Sequence, residues 1–396
     1  MSANFKMNLA AREIPRERLA EALSERIAAK RQELAERDTR WGPNRVPVYS
    51  YLENIALPDL LGYDMNDLYE DAELGLELEL RHRIFWLDNS RDDGLASLNV
   101  QSSVGMYFDL TLFGQQVRHS SQGVPQFDPH PLSHSPDMST VPEHVDFFSS
   151  GIMPGMIRYH RAMQEAARRW YGDAVTVSMR EFLRGPLDLY VQLRGYEGFV
   201  DDVVERPELA HGMLGYFARQ RARWARQRLE FLGLPPAENT SIHDDWVNVP
   251  FISPGMFRDF VAPAYAELQQ LEGPAVHFHS CGVTVPLATD LLSALPSLKA
   301  LDVSGWNDVT KLDTLVDPVI SFGVAMINTF TLTADEQAHR AKLAQVAEVA
   351  RRRKLSVCAQ AIVRLHDDIA EDIERMNRFI DLARELLNDP GRGSTT

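Results

Sequence analysis

Apolar positions along the chain follow two rhythms. Over residues 14–37 they recur every three to four positions, with Leu19, Leu23, Ile27 and Leu34 forming a stripe among Arg and Glu. That spacing predicts one amphipathic N-terminal helix. Beyond it, short β-rich runs alternate with longer helical stretches. "VPVYSY" near 46, "VGMYFDLTLF" near 104, "AVTVSM" near 174 and "TSIHDD" near 240 read as strands. So do "AVHFHS" near 275, "LKALDVS" near 298, "PVISFGV" near 318 and "LSVCAQ" near 355. Helical stretches at 156–170, 207–232, 254–271, 334–353 and 367–388 lie between or after them. Eight strands alternating with helices predict an α/β fold, a (β/α)8 TIM barrel with extra N-terminal helices. The expected organisation is a helical extension over 1–44, the barrel over 45–388 and a frayed tail over 389–396. An open doubly wound sheet is the alternative, but no glycine-rich strand–turn–helix fingerprint supports it. Residues 119–144, "HSSQGVPQFDPHPLSHSPDMSTVPEH", break the alternation. They read as a long loop that would lie over the barrel mouth as a lid. His130 and His134 within it either touch substrate or simply face solvent.

Charge narrows the partners. The 396-residue chain carries a formal net charge of −15, so it repels a phosphate backbone overall, and no nucleic-acid partner is expected. The one compact basic run, "RRRK" at 351–354, reads as a solvated helix end. No run of 18 apolar residues suggests a membrane span, and the charged N-terminus lacks the apolar core of a secretory signal. Two cysteines 77 positions apart (358 − 281) make no disulfide framework, so a cytoplasmic location is the expectation. The N-terminal helix could serve a homo-oligomer interface.

Chemistry gathers at "VHFHSCGV", residues 276–283. In a strand, alternate side chains share a face, so His277, His279 and Cys281 point one way, and Gly282 suits a tight turn out. The second cysteine, Cys358, sits in "KLSVCAQA", where the eighth strand should end. Parallel barrel strands end at one face, where both cysteines could converge. Each cysteine is then either a packed core thiol or a metal ligand. As ligands, one His and two Cys would leave an open tetrahedral position on zinc, the pattern of a catalytic site. Other polar residues also fall at strand ends. Asp244 and Asp245 could hydrogen-bond a substrate or a metal-bound histidine, or cap a helix. Glu53 and Asn54 follow the first strand, and Asp302 and Asn328 end later ones. His277 reads as a supporting or core histidine, and His366 as a neighbour of the metal or a helix cap.

The motif resembles a known family. "HFHSCG" followed 77 residues on by a lone Cys resembles the His-x-Cys…Cys signature of the zinc-dependent methyltransferases in the uroporphyrinogen decarboxylase superfamily. "HDDWVNVPFISPGMFRDFVAPAYAEL" (243–268), "LRGPLDLYVQLRGYEGFVDDVVERPEL" (183–209) and "SVCAQAIVRLHDDIAEDIERM" resemble further segments, so the likeness runs over roughly 45–388. It implies a barrel with zinc at the mouth, held by His279, Cys281 and Cys358; Asp244, Asp245 and Glu53, from their places at strand ends, are the candidate catalytic residues. It also implies the reaction, in which a methyl group moves between a corrinoid (cobalamin) protein and a small thiol or methylated small molecule. Zinc would activate the sulfur or heteroatom. No Asp-x-His corrinoid-binding domain follows on this chain, so the corrinoid would come on a separate partner protein. The departures are informative. "PVYSYLENIALPDLL" holds no arginine where porphyrinogen decarboxylases carry their carboxylate-binding motif, which argues against that reaction. Ala359 replaces the usual glycine, and "AMINTF" only faintly echoes the seventh-strand motif. A decarboxylase-like lyase, a corrinoid-independent alkyltransferase and a non-catalytic zinc-stabilised subunit are the competing readings.

Overall fold

The structure is a computed structural model. It describes residues 6–51, 58–102, 107–120, 123–128, 132–133, 138–179, 181, 183–360, 365–366 and 368–389. Glu53, Asn54, His130 and His134 lie outside the described residues, as does the predicted tail beyond 389.

Ten strands are described: β1 (Val48–Tyr51), β2 (Asn99–Ser102), β3 (Val117–Ser120), β4 (Gly123–Phe127), β5 (Thr176–Met179), β6 (Thr240–His243), β7 (Ala275–His279), β8 (Ala300–Ser304), β9 (Ser321–Met326) and β10 (Leu355–Gln360). β3 and β4 form an antiparallel hairpin that overlaps the start of the segment expected to be a loop over 119–144. The other eight are parallel and alternate with helices. Six form one sheet in the order β1-β10-β9-β8-β7-β6, and β2 pairs with β5. The arrangement is barrel-like, but among the described residues the barrel does not close. A single parallel bridge, Arg184 to His243, links the segment after β5 to β6. The β1 edge facing β2 is satisfied differently. The amides of Val48 and Ser50 donate to Asp93 Oδ2 (2.7 Å) and Asp92 Oδ2 (2.9 Å), so two carboxylates stand where a neighbouring strand's carbonyls would.

Strand sidedness explains what the lumen can do. On β10, Leu355, Val357 and Ala359 are buried, while Ser356, Cys358 and Gln360 are half-buried. Register places Tyr49 beside Cys358, Cys358 beside Ala325, Asp302 beside Gly323, and His243 beside His279. Paired neighbours share a face, so one side of the sheet carries Tyr, Cys, Ser, Asp, His and small residues. The other side carries Ile242, Phe278, Leu301, Val303, Phe322 and Val324, all buried in the main core. Barrel interiors are ordinarily filled by layers of branched apolar side chains. Here the inner face is polar, and Gly323 makes way for the Asp302 carboxylate, since a Cβ there would stand 2.5 Å from Asp302 Oδ1.

The N-terminal helix runs Leu19–Trp41 rather than 14–37, because Pro15 and a short 3-10 turn at Arg16–Arg18 precede it. It ends at Gly42, whose φ of 86° favours glycine. Leu19, Leu23 and Ile27 pack in a second core with Leu76, Leu80 and Ile84 of the helix Ala72–Asn89 and Met163 of the helix Met153–Tyr171. Complete burial of a leucine such as Leu23 stabilises by roughly 2 kcal/mol. The strand expected near 104 is a correction. β2 lies earlier, and Phe108–Thr111 is a helical turn. Phe108, Leu110 and Leu112 alternate with Asp109 and Thr111 as in a strand, but the polar members are buried too and Asp109 pairs with Arg184, so tertiary contacts override the local period. No described helix is long and apolar enough to cross a membrane.

Candidate metal centre

The ends of β6, β7 and β8 bring four chemical groups together. After β7 the buried Ser280 donates its hydroxyl to the Val247 carbonyl (3.1 Å). The next amide, of Cys281, donates to Asp245 Oδ1 (3.1 Å). Gly282 then turns against Asn248, whose side chain would lie 2.1 Å from any Cβ there. Asn307 pins the outgoing loop: its Oδ1 accepts from the amides of Thr284 (2.8 Å) and Val285 (3.2 Å), and its Nδ2 donates to the Gly282 carbonyl (2.9 Å).

Within this frame His279 Nε2 lies 3.3 Å from Cys281 Sγ and 3.4 Å from Asp245 Oδ1. One nitrogen, one sulfur and one carboxylate oxygen stand within 4.8 Å of one another. Ligand bonds of about 2.0–2.3 Å around a tetrahedral zinc place neighbouring donor atoms roughly 3.5 Å apart, so the spacing fits. The other imidazole nitrogen, Nδ1, meets Asp302 Oδ2 at 2.8 Å. A carboxylate there holds the Nδ1 proton and aims Nε2 at the metal position. The same Asp302 oxygen is 3.2 Å from His277 Nε2. His243 completes a group of three imidazoles, with ring centroids 5.4 Å from His277 and 5.5 Å from His279.

The electrostatics favour a cation. Burial opposes a charged His279, but its contacts with Asp245, Asp302 and Cys281 outweigh burial and push its pKa up to about 12. A proton is thus held where the donor set would hold a metal ion. Burial would raise Asp302 and Asp245, yet both are lowered. Hydrogen bonds from His277 and His279 prevail at Asp302, and those from His279 and Cys281 at Asp245. Burial pushes the Cys281 thiol up against the opposing hydrogen bond from His279. Burial and the neighbouring His279, His277 and Arg221 push His243 down to about 4, so it is neutral.

The remaining expected residues fall elsewhere. Cys358 lies on β10 and is not part of the three-residue cluster. Burial, reinforced by Asp92 and Asp302, pushes its thiol up to about 12. Asp244, next to Asp245, is wholly buried and turned away. It accepts from the amides of Asp188 (2.8 Å) and Leu187 (3.2 Å) at the start of the helix Pro186–Arg194, and from the Tyr265 hydroxyl (3.0 Å). Asn328 opens the helix Asn328–Thr333. His366 contacts Asp372 at the start of the helix Ile369–Asn388. His243 carried a signal that sequence reading passed over: it is the last residue of its strand, as His279 is of the next.

Comparison with known proteins adds the fold. The chain is similar in structure to a methyltransferase from Methanosarcina mazei, with a TM-score of 0.58 over 85% of this chain and 94% of that one, at 16% sequence identity. No family model matches the chain. No curated protein matches it in sequence.

Proposed function

We propose that the protein is a zinc-dependent methyltransferase that moves a methyl group between a corrinoid carried by a separate protein and a small thiol or methylated small molecule. The observation that carries this reading is the convergence of His279 Nε2, Cys281 Sγ and Asp245 Oδ1, with Asp302 behind the imidazole. The structural likeness to a methyltransferase and the motif resemblance support the reaction class.

In this reading His279, Cys281 and Cys358 hold the metal, and Asp245 stands beside them as the acceptor for the Cys281 amide rather than as a fourth ligand, so one position stays open for substrate. Zinc bound there would hold a substrate thiol as its thiolate, or polarise the heteroatom of a methylated substrate. Asp302 keeps the proton on Nδ1 and so presents Nε2 in the right tautomer. Asp245 fixes Cys281 through its amide, which sets the approach of the sulfur. Two thiolates and one neutral imidazole would balance a divalent ion, leaving a bound thiolate reactive.

The test is metal analysis of the purified chain and of Cys281→Ser, followed by assays of methyl exchange between methylcobalamin and a panel of thiols. One zinc per chain, lost in the variant, with thiol-dependent demethylation of methylcobalamin, is the expected result. Zinc binding with no methyl exchange in either direction would leave the metal centre standing and overturn the methyl-transfer reading.

A further inference from the structure

Among the described residues β1 and β2 do not pair. A cavity of about 360 Å³ lies between the free edge of β1, the helix Ala72–Asn89 and the segment leading into β2. Its volume falls within the usual range for small-molecule pockets, about 300–1,000 Å³. Three aromatic side chains wall it: Tyr49 and Tyr51 from β1, 41% and 43% exposed, and Trp86 from the helix. None of its lining residues belongs to the cluster of His279, Cys281 and Asp245, four strands away in sheet order, although β1 pairs directly with β10, which carries Cys358.

Its charge is unbalanced. Among the described residues Arg83 is the only cationic side chain in the lining, and it is paired with Glu79 at 2.6 Å. His82 is neutral, because burial and the nearby Arg83 push it down to about 3. That leaves Asp92, 3% exposed, whose carboxylate accepts from the Ser50 amide (2.9 Å) and hydroxyl (2.6 Å). Among the described residues no cationic side chain pairs with it. The adjacent Asp93 is the contrast: it turns to Arg37 and Arg45 and is neutralised there. A buried carboxylate without a counter-charge is costly, and aromatic walls attract cations through their ring faces.

We propose that this cavity binds a small organic cation, a tertiary or quaternary ammonium group, with Tyr49, Tyr51 and Trp86 as its walls and Asp92 as its counter-charge. The cavity borders the proposed metal position, since Tyr49 lies beside Cys358 in register and Asp92 acts on that thiol, but none of its lining residues is a proposed ligand, so cation binding does not depend on the reaction proposed above. Neutral ligands of the same shape gain only the apolar contact.

Isothermal titration of the full chain with tetramethylammonium, choline and 3,3-dimethylbutan-1-ol tests this, the last having the shape of choline without its charge. The expected result is saturable binding of at least one of the two cations, with the neutral alcohol roughly ten-fold weaker or more. Tyr51→Leu, at a half-exposed position, and Asp92→Asn, which keeps an acceptor for Ser50, should each weaken the cation by about ten-fold while the protein remains folded by circular dichroism. Equal binding of the neutral alcohol, affinity unchanged in both folded variants, or no saturable binding of either cation up to millimolar concentration would overturn the proposal.

Discussion

Cys281 and Cys358 are the chain's only cysteines, and they sit in unlike surroundings. Cys281 follows β7 with its sulfur 3.3 Å from an imidazole nitrogen and its amide on a carboxylate. Cys358 lies within β10 beside Tyr49 and Ala325, where Asp92 and Asp302 add to burial in keeping its thiol protonated. Thiol reactivity follows the neighbours that favour or disfavour the thiolate. Without a metal, one cysteine is engaged with a cationic partner and the other feels only negative charge. A divalent ion would reverse the second case, since it favours the thiolate that the carboxylates disfavour.

The sharpest way to break that contrast is to remove the imidazole. His279→Ala should lower zinc affinity by at least about 100-fold, beyond what loss of a supporting partner costs, as read by competition with a chromophoric chelator. Asp302→Asn leaves every ligand in place and removes only the carboxylate holding Nδ1. It should cost roughly 10- to 100-fold in the same assay while the protein remains folded by circular dichroism.

Proton release separates the two possible ligand sets. At pH 7 the metal-free site carries protons on His279 Nε2 and on both thiols, while Asp245 is ionised. Zinc on His279, Cys281 and Asp245 would release two protons, one from His279 and one from Cys281. Adding Cys358 as a ligand would release three. Calorimetry in buffers of different ionisation enthalpy counts them, and the reading proposed above requires three.

The smallest effect is on stability. His279 has its pKa raised from an unfolded value near 6.5 to about 12. The folded state therefore binds more protons between those values, and stability falls as pH rises through that window. Urea midpoints of metal-free protein should decline from pH 7 to pH 9, and His279→Gln should flatten the decline. A midpoint that rises with pH in the parent protein would contradict the proton-bearing site.

Some of this was legible in the residues. The i, i+2 spacing of His279 and Cys281 at a strand end, closed by Gly282, placed both donors on one face, and the structure has them 3.3 Å apart. The pair Asp244 and Asp245 was legible only as a pair. Two adjacent carboxylates leaving a strand point to different sides, and one was claimed by the start of a helix, an element more than 50 residues earlier in the chain. The displaced second strand shows another limit: Phe108, Leu110 and Leu112 alternate with Asp109 and Thr111 as in a strand, yet the run turns as a helix with Asp109 buried against Arg184, a contact that local period does not contain.

The sequence by itself determined the inventory and its local directions: which stretches are helical, which alternate, and which side chains share a strand face. These follow from periodicity, a property of neighbours along the chain. Tertiary structure alone decided that Asp245 rather than Asp244 meets His279, that Asp302 stands behind the imidazole, and that β1 spends its edge on Asp92 and Asp93 instead of β2. Those outcomes depend on the register between distant strands and on which helix ends compete for a carboxylate. No window of local sequence contains either.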